Sequence, residues 1–198
     1  LPSDYNTSKR NYPVLYLLHG YTDNETNWIQ MGQMKTIADR AIANEEAVPM
    51  IIVMPDAWDT WYINQYDGKV PYEDMFFEEL IPYMEKTYRI RSDKESRAIA
   101  GLSMGGFHSL YISANYPDKF DYVGLFSAAI NRESKGENTY IYKNLEEKLA
   151  TQFAAAPKLY FIAIGNADFL YQDNVEFRQL LDRHGYKYEY AETDGGHE

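Results

Sequence analysis

Short, uninterrupted apolar runs recur along the 198-residue chain, each closed by a polar or turn-forming residue. VLYLL (14–18) ends at His19-Gly20, MIIVM (50–54) at Pro55-Asp56, and RAIAGL (97–102) leads into Ser103. YVGLFS (122–127) and LYFIAIG (159–165) follow, and YKYEYAE (186–192), which polar residues interrupt, completes the set. Runs of this length without polar alternation predict strands covered on both faces, as in a parallel sheet. Between them the apolar spacing turns helical. Residues 26–43 predict one helix, with Asp23 or Asn24 as its cap. Residues 72–86 predict another, carrying Met75, Phe76, Leu80 and Met84, which Pro82 should kink. Residues 104–115 follow Ser103, and 171–184 end in Arg183-His184-Gly185, a cationic last turn with a glycine stop.

The resulting order, β-α-β-α-β-α-β, predicts an α/β fold with crossover helices between parallel strands. The length fits a single domain spanning 1–198. Residues 131–152 (NRESKGENTYIYKNLEEKLATQ) are weakly patterned and predict a surface insert near the carboxyl edge of the sheet.

Composition narrows the partners. The net charge is −11 and the isoelectric point about 4.8. This excludes nucleic acid, whose affinity comes from neutralising phosphates with Lys and Arg. It also disfavours anionic substrates and membrane surfaces, and favours neutral ones. No apolar stretch approaches the ~18 residues of a membrane span. The absence of cysteine removes disulfides, thiol catalysis and cysteine-ligated zinc together. The chain starts without methionine (LPSDYNTSKRNYP), so a missing leader argues for no compartment. Nineteen tyrosines offer flat apolar faces with polar tips, which suit sugars and aromatic rings as well as ordinary packing.

The stretch AGLSMGG carries the chemistry. It reads G-x-S-x-G across Gly101, Ser103 and Gly105, between a predicted strand and a predicted helix. So sharp a turn leaves no room for side chains flanking the serine. It would expose the Ser103 hydroxyl at a helix N-terminus, where developing negative charge is favoured. A serine nucleophile needs a base. Of the four histidines, His19 reads as a backbone-positioning residue, and His108 lies roughly 140° around the helix from Ser103. His184 is a helix-end charge. His197, in the glycine-containing loop after the last strand, remains as the base, its glycines giving the loop freedom to reach Ser103. The base needs an orienting carboxylate. Asp168, directly after LYFIAIG, is preferred over Asp173 in the next helix and Asp194 beside the base. The expected oxyanion donors are the backbone N–H groups of Met104, after the nucleophile, and Tyr21, after the first strand. No metal or organic cofactor is called for.

Taken together, YPVLYLLHGYTDNETNW, MPDAWDTWY, GLSMGG, GNADFLYQDN and GGHE resemble the feruloyl and acetyl-xylan esterases of carbohydrate esterase family 1. The resemblance runs from residue 12 to the end. It implies an α/β-hydrolase fold, a mostly parallel sheet with helices on both faces, and Ser103, Asp168 and His197 as nucleophile, acid and base. It further implies a small ester or acylated oligosaccharide as substrate, removal of ferulate or acetate from xylan, and a secreted or periplasmic location, with a cytoplasmic one as the alternative. Gly20, Trp58, Trp61 and Tyr62 would contact substrate, although loop packing accounts for the three aromatics equally well. Family members have further strands before Leu1, and an aromatic segment and a helix after His197. The chain is thus expected to be truncated at both ends, with the first edge strands and last helix missing and the base loop poorly supported. The rival expectations are an S-formylglutathione hydrolase or general short-chain carboxylesterase, and an inactive carbohydrate-binding relative.

Overall fold

The computed structural model describes residues 1–58, 60, 71–130 and 143–197. Six strands lie within them: β1 (Val14–Leu18), β2 (Ile51–Val53), β3 (Arg97–Leu102), β4 (Tyr122–Phe126), β5 (Leu159–Gly165) and β6 (Glu189–Thr193). They form one sheet in the order β2-β1-β3-β4-β5-β6, every pairing parallel. Leu18 pairs with Gly101, Leu102 with Phe126 and Gly165 with Thr193, so the strands end along one rim. In such sheets the loops leaving the carboxyl ends build the site, above all where the strand order reverses. Here that point falls between β1 and β3.

The helices are α1 (Asn27–Gln30), α2 (Met34–Ala43), α3 (Tyr72–Met75), α4 (Ile81–Thr87), α5 (Met104–Asn115), α6 (Leu145–Ala154) and α7 (Tyr171–Arg183). They flank both faces of the sheet, as an α/β-hydrolase fold requires. On one face Val14, Tyr16, Leu18, Ile99, Val123, Leu125 and Ile162 are buried. This face receives α5 and the ring of Phe76, which meets Tyr16 edge-on at 5.4 Å. On the other face Leu15, Ala98, Leu102, Phe126, Phe161 and Ala163 are half-buried. Trp28 of α1 crosses Phe126 there at 6.1 Å, and its indole N–H donates to the Leu18 carbonyl. Among the described residues no helix is long and apolar enough to cross a membrane.

Local chemistry departs from the sequence expectations in four places. The single helix over 26–43 is two helices. Gln33 adopts a left-handed φ of 50° between them, and a Cβ on Gly32 would lie 2.9 Å from the Trp28 carbonyl oxygen. Neither Asp23 nor Asn24 caps α1, whose N-cap is Thr26. The Asn24 carboxamide instead accepts the Thr26 N–H in an Asx turn, and Asp23 accepts from the Asn27 side chain. The helix type changes ahead of Pro82. A π turn over Phe76–Leu80 joins α3 to α4, and the Ile81 N–H reaches back five residues to the Phe76 carbonyl. That wider turn ends at Leu80, two residues before Pro82, which has no N–H to give. Finally, the predicted surface insert contributes to the core. Its first part, 131–142, lies outside the described residues, but α6 buries Leu145 and Leu149 at helical spacing.

Candidate active site

Ser103 stands between β3 and α5 with φ 55° and ψ −110°, a conformation costing a non-glycine residue on the order of 1–3 kcal/mol. Three backbone bonds hold it there. Its N–H donates to the Phe126 carbonyl, and its own carbonyl accepts from Phe107 and Ala129, all at 2.9 Å. The motif glycines are required by crowding. A Cβ on Gly101 would lie 2.4 Å from the Gly105 carbonyl carbon, and one on Gly105 would lie 2.5 Å from the Leu18 oxygen. Bare glycine therefore lets α5 sit directly on β1 and β3. Among the described residues the Ser103 hydroxyl makes no hydrogen bond, and it stands at the start of α5 beside the N–H of Met104.

Asp168 and His197 meet two strands away. The His197 Nδ1–H donates to Asp168 Oδ2 at 2.9 Å, with the carboxylate wholly buried and the imidazole 25% exposed. An ionised carboxylate only accepts, so the ring proton lies on Nδ1 and Nε2 is left as a proton acceptor. Burial on its own would raise the Asp168 carboxyl. The Leu170 N–H, the Ser127 hydroxyl and His197 outweigh it and hold the group below the usual carboxylate range. The Leu170 bond is 2.8 Å and fixes Oδ1. Of the two alternative acids, Asp173 lies in the first turn of α7, and Asp194 accepts from the Asn166 side chain at 2.7 Å.

The loop carrying His197 is tied to the loop carrying Asp168. Asn166 N–H donates to the Thr193 carbonyl and Ala167 N–H to that of Gly195, so the acid and base loops are laced together through backbone. The glycine this requires is Gly165, where a Cβ would meet the Gly195 and Gly196 oxygens at 2.5 Å. Gly195 and Gly196 themselves have open space at Cβ and no left-handed φ. Their contribution is compact backbone that approaches β5.

The other predicted residues scatter around this rim. Gly20 follows β1, and a Cβ there would lie 3.6 Å from that of Ser103, so the turn carrying Tyr21 abuts Ser103. Trp58 is 73% exposed with φ 48°, and its N–H is held by Asp56. Trp61 and Tyr62 lie outside the described residues. His108 is buried against Phe76 and His184 lies beside Glu146 at 3.3 Å, so neither serves this rim.

Two contributors escaped the sequence reading. Ser127, which ends the YVGLFS run, is buried with φ 42° and its hydroxyl faces Asp168. Its position at a strand's carboxyl end was the available signal. Phe169 is 77% exposed, its ring 4.6 Å from that of His197. Nothing local in GNADFL marks it. A 760 Å³ cavity lies behind the rim against Trp28, Leu102 and Phe126, with none of Ser103, Asp168 or His197 in its wall.

A strained serine elbow and a carboxylate–imidazole pair on one rim of a parallel sheet define a hydrolase-type α/β protein. The chain belongs to the Esterase family, whose model matches residues 1–163, which bears out the resemblance drawn from the motifs. It is 34% identical over 148 residues to the endo-1,4-beta-xylanase/feruloyl esterase of Xylanibacter ruminicola, covering 73% of this chain but only 19% of that protein's length. It is 26% identical to the acetyl esterase of Caldicellulosiruptor saccharolyticus, over 95% of this chain and 78% of the relative. Among solved structures, a ferulic acid esterase superposes with a TM-score of 0.83 at 32% identity, covering all of this chain and 83% of its own.

Proposed function

We propose that this chain is a serine carboxylic-ester hydrolase that releases feruloyl or acetyl groups from xylan through an acyl-enzyme. The observation that carries the reading is the His197–Asp168 bond at the rim where the strained Ser103 elbow also ends. In the first half-reaction the Ser103 hydroxyl attacks the ester carbonyl carbon and His197 Nε2 takes its proton. Asp168, ionised and buried, stabilises the imidazolium through Nδ1–H. The backbone N–H groups of Met104 and Tyr21 receive the oxyanion. Collapse of the tetrahedral intermediate expels the alcohol, which takes the proton from His197. Water, deprotonated by the same imidazole, then releases the acid and restores Ser103.

Feruloyl and acetyl groups are the acyl groups named for the relatives above. A net charge of −11 suits neutral acylated sugar. Xylan, a polymer that does not cross membranes, carries with it a secreted or periplasmic location. Exposed Trp58 and Phe169 supply flat apolar surface at the rim for a sugar or cinnamoyl ring.

Ser103→Ala is expected to abolish hydrolysis of a short nitrophenyl ester; retained turnover sinks the mechanism. Rates on methyl ferulate, acetylated xylan and S-formylglutathione then assign the acyl group. Fastest turnover of the thioester would replace the xylan reading with the detoxifying one. Binding of xylo-oligosaccharide without fluorophosphonate labelling of Ser103 would replace it with a carbohydrate-binding role.

A further inference from the structure

The imidazole of His19 is 2% exposed, and each of its nitrogens has a backbone partner on a different loop of the rim. The Ala57 N–H, on the loop after β2, donates to Nε2 at 2.9 Å. A nitrogen that accepts an N–H carries no proton, so the ring's proton lies on Nδ1. Nδ1 is 2.8 Å from the Gly20 carbonyl oxygen and donates to it. The hydrogen bonds therefore specify a neutral imidazole of one tautomer. Asp56 Oδ1, 3.3 Å from Nε2, already accepts the Trp58 N–H, and the Gly20 oxygen also accepts the Asp23 N–H at 3.2 Å.

The consequence follows from peptide planarity. The Gly20 C=O and the Tyr21 N–H belong to one trans peptide unit and point in opposite directions. His19 holds the oxygen on the buried side, so the N–H is turned outward, beside a residue whose Cβ position is 3.6 Å from that of Ser103. Without that grip only the Asp23 N–H, at 3.2 Å, still holds the oxygen, and the peptide unit, flanked by glycine, turns more readily to aim its carbonyl at the site. A carbonyl there would repel the oxyanion that an N–H stabilises.

We propose that His19 is a positioning residue: its Nδ1–H fixes the Gly20–Tyr21 peptide so that the Tyr21 N–H is preorganised for the oxyanion. The inference rests on Ser103 being the nucleophile. It adds a side chain through which an otherwise all-backbone oxyanion site becomes open to mutation. Through Nε2 the same ring ties that site to the loop presenting Trp58.

Two isosteric replacements separate the ring's two bonds. In His19→Asn the carboxamide N–H₂ falls where Nδ1 was and keeps the donor to Gly20. In His19→Gln the carboxamide oxygen falls where Nε2 was and keeps only the acceptor for Ala57. Steady-state kinetics with p-nitrophenyl acetate, and inhibition by phenylboronic acid as a tetrahedral mimic, are measured for both and for Ser103→Ala. His19→Gln is expected to lose on the order of 10²-fold in kcat, with a similar loss of boronate affinity and little change in KM, the signature of one missing oxyanion donor. His19→Asn is expected to stay within about fivefold of the parent on both readouts, since its donor remains. Equal losses in the two variants, or a larger loss in His19→Asn, would overturn the proposal while an inactive Ser103→Ala leaves the nucleophile standing. An active Ser103→Ala would instead overturn the parent reading. A further measurement needs no variant: ¹⁵N NMR of the wild-type protein should give His19 as the neutral Nδ1–H tautomer. The Nε2–H tautomer or an imidazolium at neutral pH overturns the proposal even where both variants misfold.

Discussion

Single methyl groups decide much at this rim. Gly165→Ala would push a Cβ into the Gly195 and Gly196 carbonyls and displace the His197 loop. A shift near 1 Å at a catalytic base costs on the order of 10²-fold, so kcat for a nitrophenyl ester is expected to fall by about that factor. Gly195→Ala and Gly196→Ala meet open space and are expected to remain within a few-fold of the parent in the same assay. Asp168→Asn keeps the size of the side chain but invites the wrong imidazole tautomer, with an expected loss of about 10⁴-fold in kcat. Because the folded Asp168 carboxyl is held low, its contribution to stability is complete above the unfolded value near pH 4 and is lost as pH falls through the lower folded value. Wild-type Tm should therefore drop more steeply below about pH 4 than that of Asp168→Asn, a comparison one set of melting curves provides. Residues proposed from strand-end position, Ser103, Asp168 and His197, were picked out by their order along the chain, and the structure places Asp168 beside His197. Ser127 carried the same strand-end signal but not the neighbour that gives it meaning, and Phe169 carried no local signal, because both depend on which residue a different strand brings to them.

At the scale of elements, the strand–elbow–helix unit is held by close approach of backbone to backbone. A Cβ on Gly105 meets the Leu18 and His19 carbonyls at 2.5 and 2.8 Å, and no rotamer change relieves that. Gly105→Ala is thus expected to lever α5 from β1. Overpacking of roughly 2–3 kcal/mol corresponds to a fall in Tm of roughly 5–10 °C for a chain of this size, which calorimetry would register. The strands β1 to β5 were legible because each lies in a largely continuous apolar run with no competing period, whereas β6 sits in the alternating stretch YKYEYAE. Element boundaries were less so. The break at Gln33 depends on how Trp28 packs, and Pro82 left open whether the chain would bend or widen its turn. For α6, Leu145 and Leu149 carried the helical spacing, but the polar residues before them masked it.

The whole molecule presents a surface of net charge −11 to its substrates. An ester bearing a carboxylate should meet repulsion that salt screens, so its kcat/KM is expected to rise with ionic strength while that of a neutral methyl ester stays flat. The six strands share the site unevenly. β1, β3 and β4 lie inside the sheet and lead to the Gly20–Tyr21 turn, Ser103 and Ser127, whereas β6, which leads to the proposed base His197, pairs among the described residues only with β5. Edge elements open locally at lower free energy than central ones. On warming, peeling of β6 would unseat His197 while the rest of the sheet stays paired. The lifetime of activity is then set by one hairline opening at the margin of the molecule, and bracing that margin would prolong working life without raising the temperature of global melting.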